Sequence, residues 1–302
     1  MSNQRIILPF QSKLRLEGLY RLQVRDGASG RLSRDTGWFR NLILDSGLNR
    51  LGTGVPVSGM AIGTGTAAPG VGDTQLSSLA AFTTTVAPAG STTGNEGSPN
   101  YASWRQWSYR FGAGSLNGNY SEIGAGWLSA SMFSRALILD GGGSPTTISV
   151  LSTESLDAYY MLRLVPDLTP HTSVVVISGT SYNVTRKPAQ VSSSTWGISG
   201  ISEIRWLNSN TVAYNGSIGA VTGTPSGTSA QTTSNSNDTY VNNSLERTGT
   251  ISFALTEGNV AGGIKSIQTV GNYCAYQYEF DTAIPKDSTK VLTLNGKIAW
   301  SR

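Results

Sequence analysis

Two carboxylates three positions apart, Glu154 and Asp157, are residues whose types and spacing could do chemistry. Glycoside hydrolases use such a pair, one as a general acid and the other as a base or nucleophile. The two residues also precede a long apolar segment, where carboxylates commonly cap a turn by accepting backbone N–H groups. The turn-capping interpretation is favoured, and it predicts no catalytic role.

The chain has one histidine and one cysteine, which are few for a catalytic or metal site. The single histidine, His171, follows Pro170 in a polar stretch and is predicted to be a solvated loop residue. The single cysteine, Cys274, has strand-like neighbours and is predicted to be buried, without an internal disulfide partner. Metal sites and histidine-based triads need more such residues. We therefore predict a non-enzymatic protein with no catalytic residue, cofactor or metal.

Aromatic residues are concentrated between positions 104 and 127. Trp104, Trp107 and Tyr109 fall in one strand-like run, and Trp127 ends the next, which contains glycines. Large rings beside glycine usually pack over bare backbone, which would place this set in a core sheet. The alternative is a sugar-stacking platform of exposed rings beside Asn and acidic residues. These four residues are the candidate contacts for a glycan or a partner protein.

The composition favours a β protein. Of 302 residues, 13% are charged and 36 are glycine, whereas about 25% of residues are charged in an average globular domain. Few charges together with abundant Gly, Ser and Thr are typical of strands joined by many turns. We predict an all-β fold, an antiparallel β-sandwich of jelly-roll-like type with long Gly/Ser/Thr-rich loops. The length allows one large sandwich or two smaller domains.

The strongest strand signal lies near the middle of the chain. Ser155–Pro166 is apolar on both alternating faces, which predicts a central strand. We expect a β-sandwich core with an N-terminal hairpin over residues 1–166, and a second β unit over 167–302 that completes or packs on it. Within the second unit, the polar stretch 208–243 is predicted to be a loop insertion holding one weak strand, Thr211–Tyr214.

The net charge of +4 does not indicate nucleic-acid binding. The basic residues up to Arg50 alternate with apolar ones such as Leu14, Leu16 and Leu22, so they form a solvated or partner-facing strand surface. Basic clusters interleaved with aromatics, which hold nucleic acid, are lacking there. The sequence shows neither an export signal nor a run of about 18 apolar residues, which predicts cytoplasmic folding without membrane insertion.

The stretch Thr36–Pro69 combines several local signals. An alternating strand leads to Asp45, which is predicted to cap a short helix near residues 45–51 that closes at Gly52. A second strand, Ser58–Gly63, runs into the sequence IGTGTAAP, whose small residues let a turn pass close to another backbone.

This order of strand, capped helix, spacer and strand ending in IGTGTAAP resembles a family of bacteriophage virion proteins. Further segments look similar to that family; they are Thr74–Leu76, Trp104–Trp127, Phe133–Asp140, Ser144–Leu164 and Tyr278–Arg302. The resemblance covers the greater part of the chain and is to tail-associated structural proteins of tailed phages.

The resemblance implies a virion protein of the tail tip, baseplate or tail fibre complex that is assembled in the host cytoplasm and contributes to host attachment. Its partners would be other phage tail proteins, further copies of the chain, with a homotrimer as the expected state, and a host cell-surface receptor or polysaccharide. The loops Val86–Pro99 and Asn208–Asn243 would meet these partners. Two alternatives stay open: a carbohydrate-binding module or glycan hydrolase, and a head-decoration or neck protein.

Overall fold

The described part of the chain is built almost entirely from β-strands. The structure is a computed structural model, and it describes residues 3–54, 57–197, 203–208 and 211–302. Over those residues it contains 22 strands and one short helix. The predicted all-β fold is confirmed, and so is the helix near residues 45–51.

The strands are numbered in chain order. Strands β1 to β13 are Asn3–Asp26, Leu32–Asp35, Phe39–Arg40, Leu42–Ile43, Gly59–Gly63, Leu79–Thr83, Thr92–Glu96, Ala102–Phe111, Gly118–Tyr120, Glu122–Leu128, Ser131–Leu137, Ile148–Val150 and Glu154–Pro166. Strands β14 to β22 are His171–Ile177, Thr180–Ala189, Thr211–Tyr214, Ser229–Thr232, Asn235–Asn237, Glu246–Phe253, Ile264–Val270, Ala275–Ile284 and Val291–Ser301.

The chain divides into two compact units. The N-terminal unit comprises Leu16–Gly94, Trp104–Arg163 and Arg302, and the C-terminal unit comprises Met1–Arg15, Asn95–Ser103 and Leu164–Ser301. The first part of β1 therefore belongs to the C-terminal unit and the rest of β1 to the N-terminal unit. The division into separate domains at residue 166 stays a prediction.

The N-terminal unit is a sandwich of two sheets. In one sheet β13 lies between β1 and β8, and the other sheet has the order β4-β11-β10-β5-β6. Tyr20 on β1 donates its hydroxyl to the carbonyl of Ser134 on β11 at 3.1 Å. Tyr160 on β13 contacts Phe133 on β11 edge-to-face, with ring centroids 6.0 Å apart. These four residues are buried, so the inward faces of the two sheets form one aromatic core.

The C-terminal unit is also built from two sheets. One contains β18, β19, β22 and the first part of β1, and the other has the order β14-β15-β21-β20-β16-β17. β1 and β22 pair in parallel, whereas β19 and β22 are antiparallel. Between the sheets, Trp206 donates its indole N–H to the Tyr278 hydroxyl at 3.1 Å. The indole covers Gly296 of β22, where a Cβ would lie 2.4 Å from the ring, so the ring needs a glycine there.

The helix, α1 (Asp45–Arg50), has different ends from those predicted. Its N-cap is Leu44, which has extended backbone and no side-chain cap, so the prediction that Asp45 caps the helix is wrong. Asp45 lies instead in the first turn, where a negative charge is favourable near the helix N-terminus. The predicted closing residue, Gly52, does not have a positive φ; Gly54 has, at 149°.

The polar stretches contain more strand than the sequence predicts. The predicted strand Thr211–Tyr214 is confirmed as β16, but the stretch 208–243 also holds β17 and β18; residues 209 and 210 lie outside the described part. Val86–Pro99, predicted to be an exposed loop or an arm that orders only against a neighbour, holds the strand β7 and the buried Ala87. It is therefore not a plain loop. Short strands made of Ser, Thr and Asn pair through their backbone, and hydrophobic alternation does not mark them.

The IGTGTAAP turn of the N-terminal unit is held by a buried ion pair. The Glu122 carboxylate on β10 lies 2.9 Å from the Arg135 guanidinium on β11. Arg135 also contacts the Asp73 carboxylate at 2.5 Å and donates to the carbonyl of Ala67 at 3.0 Å. Glu122 accepts the backbone N–H of Ser77 at 3.1 Å. Both charges are therefore used to position the segment between β5 and β6.

Candidate functional site

The predicted aromatic contacts do not share one exposed surface. On β8, Trp107 and Tyr109 expose only 5% and 7% of their surface. The Trp107 ring stacks on Tyr160, with centroids 6.0 Å apart and an interplanar angle of 19°. These two rings fill the core of the N-terminal unit and offer no open face to a sugar.

Trp104 and Trp127 are half-buried. The Trp104 ring lies over Gly94, where a Cβ would come within 2.5 Å of it, so the interpretation of a ring over bare backbone holds for this residue. The Arg50 guanidinium lies 5.1 Å from the centroid of the Trp127 ring. Both rings therefore already have a partner within the N-terminal unit.

Glu154 caps a turn, as predicted. Its Oε2 atom accepts the backbone N–H of Leu151 at 2.9 Å and also pairs with Arg34. The hydrogen bond from Leu151 is the main cause that holds the pKa of the Glu154 carboxyl below its ordinary value. A general acid of a glycoside hydrolase needs a raised pKa, so this shift is in the wrong direction for that role.

Asp157 does not cap a turn, which corrects the expectation for that residue. It is buried within β13, where its Oδ1 lies 2.6 Å from the Nε atom of Arg110 and its Oδ2 lies 3.1 Å from the Nε atom of Arg25. No local pattern in the sequence indicates this bridge, because the two arginines come from β8 and β1. With both oxygens paired, the carboxylate is held in place as an anion between two cations.

His171 lies at the surface of the C-terminal unit, whereas Cys274 is buried. His171 is exposed, as predicted, but it begins β14 rather than lying in a loop, and its Nε2 atom is 2.7 Å from the Asp167 carboxylate. Cys274 is buried, as predicted, and burial raises the pKa of its thiol. Within the described ranges, no group of three or more His, Cys, Asp or Glu side chains is placed to hold a metal ion.

A polar pocket of about 530 Å³ opens in the C-terminal unit. It lies among the segment 203–208, the residues 233–239 that include β18, and β19. Charged and amide side chains dominate its lining; they include Glu203, Arg205, Asn235, Asn237, Asp238 and Arg247. Small-molecule sites commonly measure about 300–1,000 Å³, so this pocket is of suitable size.

An ion-pair group forms one wall of the pocket. The Oε1 atom of Glu203 accepts a hydrogen bond from the Nε atom of Arg205 at 2.7 Å and lies 3.4 Å from the Nη1 atom of Arg247. Arg247 also donates to the carbonyl of Ile204 at 3.3 Å. Burial acts to raise the pKa of Glu203, but hydrogen bonds from its own backbone and from Arg205 outweigh burial and lower it. The carboxylate is therefore ionised at neutral pH.

Asn237 and Asp238 form a second wall of the pocket. The Asn237 amide donates to the carbonyl of Leu207 at 2.6 Å and accepts the Leu207 N–H at 3.1 Å, which ties β18 to the segment 203–208. Asp238 is exposed and accepts the hydroxyl of Thr248 on β19. The two walls thus bring carboxylate acceptors and guanidinium and amide donors to one concave surface.

The sequence contains only a weak signal for this pocket. The run Asn235-Ser236-Asn237-Asp238 is rich in hydrogen-bonding side chains, but it lies in a stretch that reads as a contact loop. Glu203 and Arg247 are brought to it by tertiary pairing, which no local pattern reveals.

Comparison with known proteins found no matching family model, no matching curated protein and no matching solved structure. None of the helical structure in the described ranges has the length and apolar character needed to cross a bilayer.

Proposed function

We propose that the chain is a non-enzymatic structural component of a tailed-phage virion, located in the tail tip, baseplate or fibre complex, and that it contributes to attachment to the host surface. The observation that carries the proposal is the pairing of its candidate catalytic carboxylates. Glu154 is held by Arg34, and Asp157 is held by Arg110 and Arg25. Carboxylates held in this way favour a binding role over glycan hydrolysis.

The shape of the IGTGTAAP turn supports the same proposal. The family resemblance depends largely on this turn, and the buried Glu122 and Arg135 fix its conformation. A turn built around its own ion pair is a structural element of the β-sandwich rather than a flexible catalytic loop.

An exposed edge strand supports contacts with other subunits. β14 ends the order of its sheet, and Val174 and Val176 on it are 57% and 60% exposed. The strand contains neither Lys nor Pro, the residues that commonly prevent edge strands from pairing with another chain. We place the contact with tail proteins or further copies of the chain at this strand, with a homotrimer as the expected state.

Genetic complementation tests the attachment role. A phage from which the coding sequence has been deleted is grown with and without the protein supplied in trans, and adsorption to host cells is measured. We expect particles made without the protein to be defective in assembly or adsorption and wild-type protein to restore both. Normal assembly and normal adsorption without the protein would refute the proposal.

A further inference from the structure

The pocket of the C-terminal unit presents charges of both signs. Glu203 and Asp238 provide carboxylate oxygens, and Arg205 and Arg247 provide guanidinium N–H groups. A phosphate or sulfate ion would approach two carboxylates, and an amine would approach two guanidinium groups, so each meets repulsion. A neutral molecule with many hydroxyl groups avoids both, because each hydroxyl can donate to a carboxylate and accept from a guanidinium.

Arg247 has a donor without an acceptor. Its residue is 9% exposed, and its Nε atom has no hydrogen-bond partner among the described residues. That atom has no surface open to the pocket, so it is not a contact for a ligand, and Arg247 lines the pocket through other atoms. Asp238 is exposed and provides an acceptor. Thr248 donates its hydroxyl to the Oδ2 atom, and among the described residues nothing bonds to Oδ1, which can accept a ligand hydroxyl.

We infer that this pocket binds a neutral, hydroxyl-rich saccharide unit. The inference rests on the proposed attachment function, in which the bound saccharide is a unit of a host surface polysaccharide. None of the described residues that line the pocket is aromatic, so hydrogen bonds rather than ring stacking hold the sugar. Such binding is weak for a single site, roughly millimolar, and gains strength when several copies bind together.

Saturation-transfer NMR on the full-length protein tests the inference directly. The probes are the methyl glycosides of glucose, galactose and mannose, with glycerol and inorganic phosphate as comparison probes. We expect saturation transfer to at least one glycoside, and weaker or absent signals for glycerol and phosphate. Absence of transfer to all three glycosides, or equally strong binding of glycerol or phosphate, would overturn the inference.

Two matched aspartate variants connect the binding to the pocket. Asp238→Ala removes an exposed acceptor of the pocket and is expected to weaken glycoside binding by about tenfold. Asp281→Ala removes another exposed carboxylate of the same unit, one that bonds to Asn183 and does not line the pocket, and is expected to bind as wild type does. Equal binding by the two variants would contradict the assignment.

The backbone N–H groups of the pocket residues give a second measurement that does not depend on a variant's folding. Their resonances in a ¹H–¹⁵N spectrum are expected to shift as the glycoside is added, because a bound saccharide changes their surroundings. Unchanged resonances at saturating glycoside would overturn the proposed site. If the protein binds glycoside but is absent from phage particles, only the virion role is discarded. If the protein is present on particles but binds no glycoside, only the saccharide site is discarded.

Discussion

The Glu122 carboxylate lies 3.1 Å from the backbone nitrogen of Gly65, and this hydrogen bond explains a glycine of the IGTGTAAP turn. A Cβ at position 65 would lie 2.4 Å from the Oε1 atom of Glu122 and 1.8 Å from the Oγ atom of Ser77. A Cβ at Gly63 would lie 2.7 Å from the same Glu122 oxygen. The two glycines of the turn therefore let the backbone approach a buried carboxylate.

Replacing the Glu122 carboxylate should make the protein easier to unfold. In Glu122→Ala, Arg135 stays buried and keeps its contact with Asp73 but loses its contact with Glu122. We therefore expect the free energy of unfolding to fall by about 3–5 kcal/mol. Urea denaturation measures the change. The matched control is Asp45→Ala, which breaks the exposed pair with Arg302 and should cost less than about 1 kcal/mol. Similar losses for the two variants would contradict this account of the turn.

A glycine substitution should be costly at a position in the turn and tolerated at a position that follows the turn. In Gly65→Ala the added methyl group overlaps Ser77 and Glu122, and overpacking of this kind typically costs about 1–3 kcal/mol. At Gly72 a Cβ meets no atom within 4 Å and φ is not positive, so Gly72→Ala should change the stability by less than about 0.5 kcal/mol. Thermal melts of the two variants compare them; equal melting temperatures would show that the close approach at Gly65 is not a constraint.

The bridge at Asp157 should be structural. Asp157→Ala removes a buried anion from between Arg25 and Arg110, which are half-buried and can be partly rehydrated. We therefore expect a loss of unfolding free energy between those of Glu122→Ala and Asp45→Ala in the same urea series. Glycoside binding in the pocket should be unaffected. A variant of wild-type stability that lost an activity toward polysaccharide would instead point to catalysis at this residue.

Stability should fall in acid partly because of Glu154. Its pKa in the folded protein lies below the ordinary value of 4.5, so the unfolded chain binds a proton more readily than the folded one. The contribution to stability is complete above pH 4.5 and is lost as the pH falls through the lower folded-state pKa. Glu154→Gln should flatten the change in melting temperature measured between about pH 3 and pH 7. An identical acid dependence in wild type and variant would exclude this residue as a cause.

Cys274 should be unreactive in the folded protein. Its thiol is buried and its pKa is raised by burial, so both the thiolate fraction and the access of a reagent are low. Ellman's reagent should label it slowly in native buffer and rapidly in denaturing urea, with free cysteine as the reference. Rapid labelling of the native protein would show that the surrounding strands open readily.

Strands with apolar alternation could be predicted from the sequence, and strands without it could not. The central strand predicted at Ser155–Pro166 is observed as β13, one residue longer, because its apolar side chains face a core. β17 and β18 carry Ser, Thr and Asn and pair through backbone groups at sheet edges, so nothing local marks them as strand. Asp45 is predicted to cap the helix because its residue type suits an N-cap. The observed N-cap is Leu44, whose backbone is still extended.

The candidate site was harder to predict than the fold, since it depends on partners far apart in the chain. The sequence leaves open whether Trp107 packs in the core or contacts a glycan, and its stacking on the distant Tyr160 places it in the core. The whole polar stretch 208–243 separates Glu203 from Arg247 in the sequence, and only the tertiary fold joins them in one wall. Composition and periodicity indicate which residues are buried and which segments form strands. They do not indicate which charged side chains contact each other.

Electron microscopy of intact phage particles labelled with gold-conjugated antibody to the purified protein tests the central claim most directly. The account predicts label at the distal end of the tail, where a host-attachment component belongs, and reduced adsorption in the presence of the antibody. Particles without label at the tail, from a preparation in which the antibody recognises the purified protein, would contradict it.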